Sequence, residues 1–231
     1  MSRSPLVLLP GLACDAGLWA PQIAALAGVA DITVGDTLQD FTIPDMARRI
    51  LAAAPIRFAL AGLSMGGYLA FEIMRQAPER VLRLALFDTS ARPDTAEQTA
   101  FRKTSIAAVE ESDDYEDLSR KSLPMLIAPG SDPEVGNAAV AMALRVGPAT
   151  YIRQQQAIIA RADSRPTLAT ITVPTLVAVG ELDLLTPPPL AHEIADGIKG
   201  AKLEIIPQAA HLPTLEQPLA TTRLLHGWLN G

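Results

Sequence analysis

The chain has 231 residues, of which 49% are hydrophobic and 19% are charged, and its formal net charge is −6 at pH 7. This composition excludes an intrinsically disordered chain, which would be poor in apolar residues and rich in charge. The acidic balance and the lack of a basic block argue against a nucleic-acid partner. The single cysteine, Cys14, excludes an intrachain disulfide and a cysteine-based metal site.

The first apolar stretch, residues 6–9, is broken by Pro10 and Gly11. It is far shorter than the roughly 20 apolar residues that span a bilayer. We therefore expect neither a signal peptide nor a membrane anchor. Together with the single thiol, this favours a cytoplasmic location.

Short runs that are mostly apolar, rather than alternating, predict strands that are buried on both faces, as in a parallel sheet. These runs occupy residues 5–9, 56–61, 81–87, 173–179 and 203–206, with a weaker candidate at 30–34. Patterns of helical period between them predict helices at 17–27, 44–53, 65–76, 187–198 and 213–229. This alternation is typical of an α/β fold with a mostly parallel central sheet flanked by helices.

Residues 91–166 interrupt the alternation, because they contain no convincing strand. Helical patterns within this segment cover residues 95–109, 115–126, 134–146 and 149–162. We interpret the segment as a helical insertion placed over one edge of the sheet. The predicted organisation is therefore a core of residues 1–90 and 167–231 with a helical cap insertion of residues 91–166.

Residues 62–66, with the sequence Gly-Leu-Ser-Met-Gly, match the G-x-S-x-G pattern between a predicted strand and a predicted helix. The pattern needs glycines because the chain passes close to itself around a sharp turn. The turn lifts the Ser64 hydroxyl above the sheet, and the helix directs its first N–H groups at an oxyanion. A nucleotide-binding turn would instead need G-x-G-x-x-G or G-x-x-x-x-G-K, and neither pattern is present.

His211 is the candidate general base among the three histidines. It lies between a predicted strand and a helix that begins at Pro213, at the carboxyl end of the sheet, where a base can reach the serine. A serine hydroxyl is a weak nucleophile until such a base takes its proton. His192 and His226 fall inside predicted helices, where packing or surface positions are expected.

Three carboxylates could orient His211 and stabilise its imidazolium form. Asp183 is preferred, because it follows the strand that precedes the histidine loop. Asp88 is the main rival, since it ends the strand immediately after the nucleophile strand. Glu181 is the third candidate, although a solvated loop charge is the simpler interpretation.

Two backbone N–H groups are candidates for an oxyanion hole, in which each donor contributes about 3–4 kcal/mol. Met65 follows the nucleophile, and Leu12 lies after the first strand, where Gly11 allows close approach. An ordinary turn is the alternative interpretation of Pro10 and Gly11. Cys14 lies near this loop and is expected to be a small buried pocket residue rather than a nucleophile.

Four segments together resemble the α/β-hydrolase superfamily over nearly the full length of the chain. They are residues 8–12 (LLPGL), 62–67 (GLSMGG), 179–187 (VGELDLLTP) and 209–213 (AAHLP). The resemblance implies a catalytic triad of Ser64, Asp183 and His211. It also implies a helical cap between the strands that end near Phe87 and begin near Val173.

The oxyanion loop departs from the His-Gly pair of many superfamily members, because Pro10 precedes Gly11 here. The backbone donor is expected to remain. The segments GLSMGG and AAHL are similar to those of the 3-oxoadipate enol-lactonase branch. Many esterases share this short similarity. This similarity suggests a small ester or lactone as substrate.

The leading hypothesis is a serine hydrolase that cleaves a small carboxylic ester, thioester or lactone through an acyl-enzyme on Ser64, without a metal or organic cofactor. The same triad could instead support C–C bond hydrolysis, elimination or perhydrolysis. A non-catalytic ligand receptor on a hydrolase scaffold is the alternative of another class. Haloalkane dehalogenases and epoxide hydrolases need an aspartate nucleophile, so Ser64 argues against both.

The helical insertion is expected to determine specificity. Candidate pocket residues are Met125, Leu126, Met142 and Leu144, with Trp19 beneath them, although packing between helix and core is the alternative for each. The expected partner is a small ester-like molecule, with neither nucleic acid nor membrane, and the protein is expected to be a monomer or a homodimer.

Overall fold

The computed structural model describes residues 3–231. Six strands form one sheet in the order β2-β1-β3-β4-β5-β6, and each neighbouring pair is parallel. The strands are β1 (Ser4–Leu9), β2 (Ala30–Val34), β3 (Phe58–Leu63), β4 (Val81–Phe87), β5 (Thr175–Gly180) and β6 (Lys202–Ile206). The prediction of a parallel α/β sheet is confirmed.

Helices cover both faces of this sheet. They are α1 (Ala20–Leu26), α2 (Ile43–Ala53), α3 (Met65–Gln76), α4 (Ala96–Glu111), α5 (Tyr115–Leu126), α6 (Pro133–Val146), α7 (Pro148–Ile159), α8 (Arg165–Leu168), α9 (Pro188–Gly197), α10 (Pro213–Glu216) and α11 (Pro218–Asn230). Leu6 and Leu8 of β1 pack in one hydrophobic cluster with Leu225 of α11, whereas Val7 packs in a second cluster with Met46 of α2. Burial on both faces explains why β1, β3 and β5 are almost entirely apolar.

Two strands begin two residues later than the sequence suggested. β3 starts at Phe58, because Ile56 is 87% exposed and lies outside the sheet. β5 starts at Thr175, directly after Pro174, which has no N–H to donate to a neighbouring strand.

Prolines also divide two of the predicted helices. A 3-10 turn, Ala16–Trp19, precedes α1, which has Pro21 in its first turn. The predicted helix 213–229 is broken at Gln217, whose φ of −129° and ψ of 59° are not helical. Pro218 follows Gln217, and the residue before a proline is disfavoured in the α region.

The chain between β4 and β5 forms the helices α4 to α7 and the short α8. We call residues 91–166 the helical segment; all of them are described, and they contain no strand. Side chains of Thr95, Asp114 and Asp132 cap the first N–H groups of α4, α5 and α6, which explains where these helices begin.

No helix within residues 3–231 combines the length and the hydropathy that crossing a lipid bilayer requires.

Candidate active site

The turn between β3 and α3 places Ser64 above the sheet. Its φ of 56° and ψ of −115° are strained for a residue other than glycine. A Cβ at position 62 would lie 2.3 Å from the carbonyl oxygen of Gly66, and a Cβ at position 66 would lie 2.2 Å from the carbonyl oxygen of Leu9. Both positions therefore require glycine, as the sequence pattern predicts.

Two hydrogen bonds hold this turn in place. The Ser64 N–H donates to the carbonyl of Phe87 at 2.9 Å, and the Thr89 hydroxyl donates to the carbonyl of Ser64 at 2.8 Å. Residues at the end of β4 thus hold the strained backbone of Ser64 in place.

Ser64, His211 and Asp183 meet at the carboxyl edge of the sheet, after β3, β6 and β5. The His211 Nε2 atom lies 2.9 Å from the Ser64 hydroxyl oxygen, and its Nδ1 atom lies 2.9 Å from an Asp183 carboxylate oxygen. The carboxylate fixes the tautomer with hydrogen on Nδ1, which leaves Nε2 free to accept the serine proton. The structure therefore brings together the three residues that the sequence proposed as a triad.

Asp183 is almost completely buried and is held by its own loop. The N–H groups of Leu185 and Thr186 donate to one carboxylate oxygen at 2.8 and 3.1 Å, and the Thr186 hydroxyl donates to the other at 2.6 Å. Burial alone would raise the pKa of Asp183, but His211 and the hydrogen bonds from Thr186 outweigh it and lower the pKa to about 2. Asp183 is therefore ionised at neutral pH.

Asp88, the rival acid, is buried next to Asp183 but makes no hydrogen bond to His211. One of its oxygens accepts from the N–H of Gly180 at 2.8 Å, and the other has no hydrogen-bond partner within residues 3–231. Burial and the charge of Asp183 raise the pKa of Asp88 well above its ordinary value. The raised pKa makes Asp88 a poorer anion than Asp183 for stabilising an imidazolium.

One group of side chains within residues 3–231 has the spacing of metal ligands, and it consists of Asp88, Asp183 and His211. Atoms of Asp88, Asp183 and His211 lie within 4.8 Å of one another. A metal there would take the Nδ1 atom of His211, which already binds Asp183 at 2.9 Å. The geometry thus favours a proton in this position over a metal ion.

The loop after β1 lies against the nucleophile. A Cβ at Gly11 would sit 3.5 Å from the Ser64 Cβ, which is ordinary contact, so space alone does not demand glycine there. Within residues 3–231, neither the Leu12 N–H nor the Met65 N–H donates a hydrogen bond. Both N–H groups remain available for an oxyanion.

Gln154 of α7, which the sequence did not indicate, anchors this loop. Its side-chain oxygen accepts from the N–H of Ala13 at 2.9 Å, and its side-chain nitrogen donates to the carbonyl of Thr37 at 3.1 Å. Gln154 is fully buried, and Ala13 has a φ of 57°, which is strained for alanine. Gln154 of the helical segment therefore binds the loop after β1 at a residue with a strained conformation.

Glu216 of α10 is a second side chain that sequence reasoning missed. One of its carboxylate oxygens accepts from the N–H groups of Ala210 and Leu212, each at 3.0 Å, on both sides of His211. Its other oxygen accepts from the N–H of Ala128 at 2.7 Å. The only available signal was an acidic residue in the first turn of a predicted helix, and that signal did not reveal these partners.

A cavity of about 490 Å³ opens above Ser64 and His211, between the sheet edge and the helical segment. Met125, Leu126 and Cys14 line it, as predicted from the sequence. Burial and the charge of Asp15 raise the pKa of the Cys14 thiol to about 12, so this thiol is not a nucleophile at neutral pH.

Three of the predicted pocket residues do not line the cavity. Trp19 is completely buried in the core, where its indole N–H donates to the carbonyl of Leu9 at 3.3 Å and its ring packs edge-on against Phe87. Met142 packs in the hydrophobic cluster below the cavity, and Leu144 is 43% exposed on the surface of α6. The prediction of a pocket role for Trp19, Met142 and Leu144 is wrong.

The site combines a strained serine turn, an imidazole between serine and carboxylate, and two backbone N–H groups that have no partner within residues 3–231. Residues 35–218 match the family model described as alpha/beta hydrolase fold. The chain belongs to this family, and the predicted fold is thereby confirmed.

Several relatives span nearly the whole chain. A protein named as a carbamate hydrolase from Azorhizobium caulinodans is 30% identical, over 97% of this chain and 91% of its own length. A pimeloyl-[acyl-carrier protein] methyl ester esterase from Pectobacterium carotovorum is 29% identical, over 95% of this chain and 92% of its own length. The predicted class, a carboxylic ester hydrolase, is confirmed by these relationships.

Solved structures agree with this assignment. A thermophilic esterase from Thermogutta terrifontis, determined with malate bound, has a TM-score of 0.89 and 28% identity, and the match covers 99% of this chain and 90% of the esterase. The enol-lactonase from Burkholderia xenovorans has a TM-score of 0.87 and 25% identity, and the match covers 100% of this chain and 93% of the lactonase.

Proposed function

We propose that the protein hydrolyses small carboxylic esters or lactones through an acyl-enzyme on Ser64. One observation carries the proposal: His211 bridges the Ser64 hydroxyl and the Asp183 carboxylate with two contacts of 2.9 Å. This spacing lets one imidazole take the serine proton while the carboxylate stabilises the resulting positive charge.

In the proposed first step, Ser64 Oγ attacks the ester carbonyl carbon and His211 Nε2 takes the hydroxyl proton. The carbonyl oxygen becomes an oxyanion, and the N–H groups of Leu12 and Met65 stabilise it. The tetrahedral intermediate then collapses, the bond to the alcohol breaks, and His211 protonates the departing alkoxide.

The second step repeats this chemistry with water. His211 takes a proton from a water molecule, whose oxygen attacks the acyl-enzyme and releases the acid. Ser64 recovers its proton from His211, so the cycle consumes only ester and water. Asp183 keeps its negative charge throughout, in keeping with its pKa of about 2.

The size of the cavity supports a small substrate. About 490 Å³ falls within the range of small-molecule sites, roughly 300–1,000 Å³. Helices α4 to α7 of the helical segment all contribute to its walls, and we infer that this segment acts as the cap that selects the acyl group.

A fluorophosphonate probe tests the nucleophile. We expect covalent labelling of the wild-type protein and none of Ser64→Ala. Ser119→Ala is the matched control, because Ser119 lines the same cavity and its hydroxyl donates to the carbonyl of Tyr115 rather than to a base. This variant should still be labelled. Failure to label the folded wild-type protein would favour a non-catalytic receptor instead.

A further inference from the structure

A buried group of charges lies in the wall of the cavity. The Asp94 side chain is 1% exposed and binds two arginines, Arg161 at 2.5 Å and Arg102 at 2.7 Å. Both arginines line the cavity, whereas Asp94 does not. Two guanidinium groups share one carboxylate, so one positive charge in this buried group is not neutralised.

Arg161 is held rigidly in this position. Its side chain is 5% exposed, its Nε donates to the carbonyl of Arg92 at 3.1 Å, and its Nη1 donates to the carbonyl of Ile158 at 3.0 Å as well as to Asp94. Its guanidinium lies 4.3 Å from the centre of the Tyr68 ring. The Nη2 atom of Arg161 donates no hydrogen bond within residues 3–231, and Arg161 lines the cavity.

Arg102 and Tyr68 add donors on the same wall. Arg102 uses Nε for Asp94 and Nη1 for Gln155, at 2.7 Å each, and its Nη2 has no partner within the described part of the chain. The Tyr68 hydroxyl is likewise without a partner among those residues, and Tyr68 also lines the cavity. Arginine N–H groups without a partner, on guanidiniums that Asp94 already holds in place, are suitable donors to a carboxylate.

The nucleophile and the arginines border the same cavity. Tyr68 lies one turn after Ser64 on α3, and its N–H donates to the Ser64 carbonyl at 3.3 Å. Arg161 stacks on the Tyr68 ring, and Ser64, Arg161 and Arg102 all line the cavity, so one bound molecule can contact both ends of this wall. An extended chain advances roughly 1.2 Å per bond, so the length of the acyl chain decides whether a distal carboxylate reaches the arginines.

Glu97 is the one acidic residue among those that line the cavity. It lies in the exposed first turn of α4, where water screens its charge. The positive charge of Arg161 and Arg102 therefore dominates the electric field at a bound substrate.

We propose that Arg161 and Arg102 bind a carboxylate at the far end of the substrate, so that the preferred substrates are monoesters or lactones of short dicarboxylic acids. This inference rests on the proposed hydrolase function. It adds a second recognition point to the cavity and selects anionic over neutral acyl groups.

The test compares p-nitrophenyl monoesters of succinate, glutarate and adipate with neutral p-nitrophenyl esters of equal chain length. We expect the wild-type kcat/KM to favour the anionic ester of the best-fitting length by at least about 10-fold, as one charged hydrogen bond allows. Arg161→Gln and Arg102→Gln should each reduce the ratio of kcat/KM for the anionic ester to kcat/KM for the neutral ester by about 10-fold to 100-fold. Tyr68→Phe, which keeps the ring, should reduce it by a smaller factor.

Arg165→Gln is the matched control, because Arg165 is exposed and pairs with Asp163 outside the cavity. It should leave the preference unchanged. A wild-type enzyme that cleaves neutral esters as well as the matching anionic ones would overturn the inference without touching the proposed function, even if an arginine variant failed to fold. A folded wild-type protein that cleaves none of these esters would instead contradict the proposed function itself.

Discussion

The carboxyl edge of the sheet and the helical segment above it are held together in different ways. At the edge, backbone approaches such as that between position 62 and Gly66 leave no room for a side chain, and the turn at Ser64 has one allowed shape. The helical segment instead reaches the site through single polar contacts, such as Gln154 to Ala13. Close backbone packing therefore fixes the position of Ser64 at the sheet edge, and side chains of the helical segment add polar contacts to the neighbouring loops.

This difference gives the helical segment a role beyond covering the cavity. The carbonyl of Leu126 accepts from the N–H of His211 at 3.1 Å, and Glu216 links the histidine loop to Ala128. Both the oxyanion loop and the histidine loop thus depend on residues from 91–166. Variants in the two regions should consequently affect catalysis to very different degrees.

The largest effect is expected from the acid at the sheet edge. Asp183→Asn should lower kcat by about 10⁴-fold, because the amide cannot hold the required tautomer or stabilise the imidazolium. Asp88→Asn should lower kcat by less than about 10-fold, since Asp88 makes no hydrogen bond to His211. Steady-state kinetics on one ester measures both variants, and the reverse order of effects would transfer the role of the acid to Asp88.

The next effect concerns the backbone approach at the edge. Gly66→Ala should destabilise the fold by about 3 kcal/mol or more, because its Cβ would lie 2.2 Å from the Leu9 carbonyl oxygen. Gly227→Ala in α11 is the control, since nothing lies within 4 Å of its added Cβ. It should be neutral or stabilising by up to about 1 kcal/mol. Urea unfolding, followed by circular dichroism, measures the free energy of unfolding of both variants. Equal values for the two variants would contradict this prediction.

A smaller effect is expected from the helical segment. Gln154→Ala should lower kcat by about 10-fold to 100-fold with little change in KM, because it loosens the loop that carries the Leu12 N–H. Loss of a donor outright costs about 10² to 10³ in kcat, and a loosened donor should cost less. Gln156→Ala, two residues along α7 and exposed, should have wild-type kcat. A rise in KM alone would show that Gln154 acts on binding rather than on the oxyanion.

The smallest effect concerns pH and stability. The folded pKa of Asp88 is raised, so the folded state holds this proton above the unfolded pKa of about 3.9, and stability falls as pH rises. Asp88→Asn removes that loss and should raise Tm at pH 7 by roughly 2–4 °C, about 1 kcal/mol. The gain should vanish below pH 4.

Asp183 has the opposite sign in the same experiment. Its folded pKa of about 2 lies below the unfolded value, so its contribution is present above pH 4 and is lost as pH falls through about 2. Asp183→Asn should therefore be less stable than wild type at neutral pH. Parallel shifts in the stability of the two variants would contradict the opposite directions of the pKa shifts of Asp88 and Asp183.

Much of the sheet and of its reactive edge could be predicted from the sequence. Strands that are buried on both faces are mostly apolar, and α3 has the bounds that the sequence suggested, Met65–Gln76. The turn at Ser64 needs glycines at fixed spacing, and that requirement is visible in residues 62–66. His211 and Asp183 could be found because each follows a strand and parallel strands end at one edge.

Contacts across long stretches of sequence could not be predicted. Gln154 lies 141 residues from Ala13, and no local pattern links them. Arg161 and Arg102 meet at Asp94 only after the helical segment has folded. Trp19 was misplaced because a large aromatic residue fits a pocket and a core equally well in sequence, and only packing against Phe87 distinguishes the two.

Intact-protein mass spectrometry of a reaction with a p-nitrophenyl ester, quenched within the first turnover, tests the central claim most directly. We predict a burst of p-nitrophenol and a mass increase of one acyl group, located on the peptide that contains Ser64. Ser64→Ala should show neither the burst nor the adduct. An acyl group on another residue, or undiminished turnover by Ser64→Ala, would contradict the account.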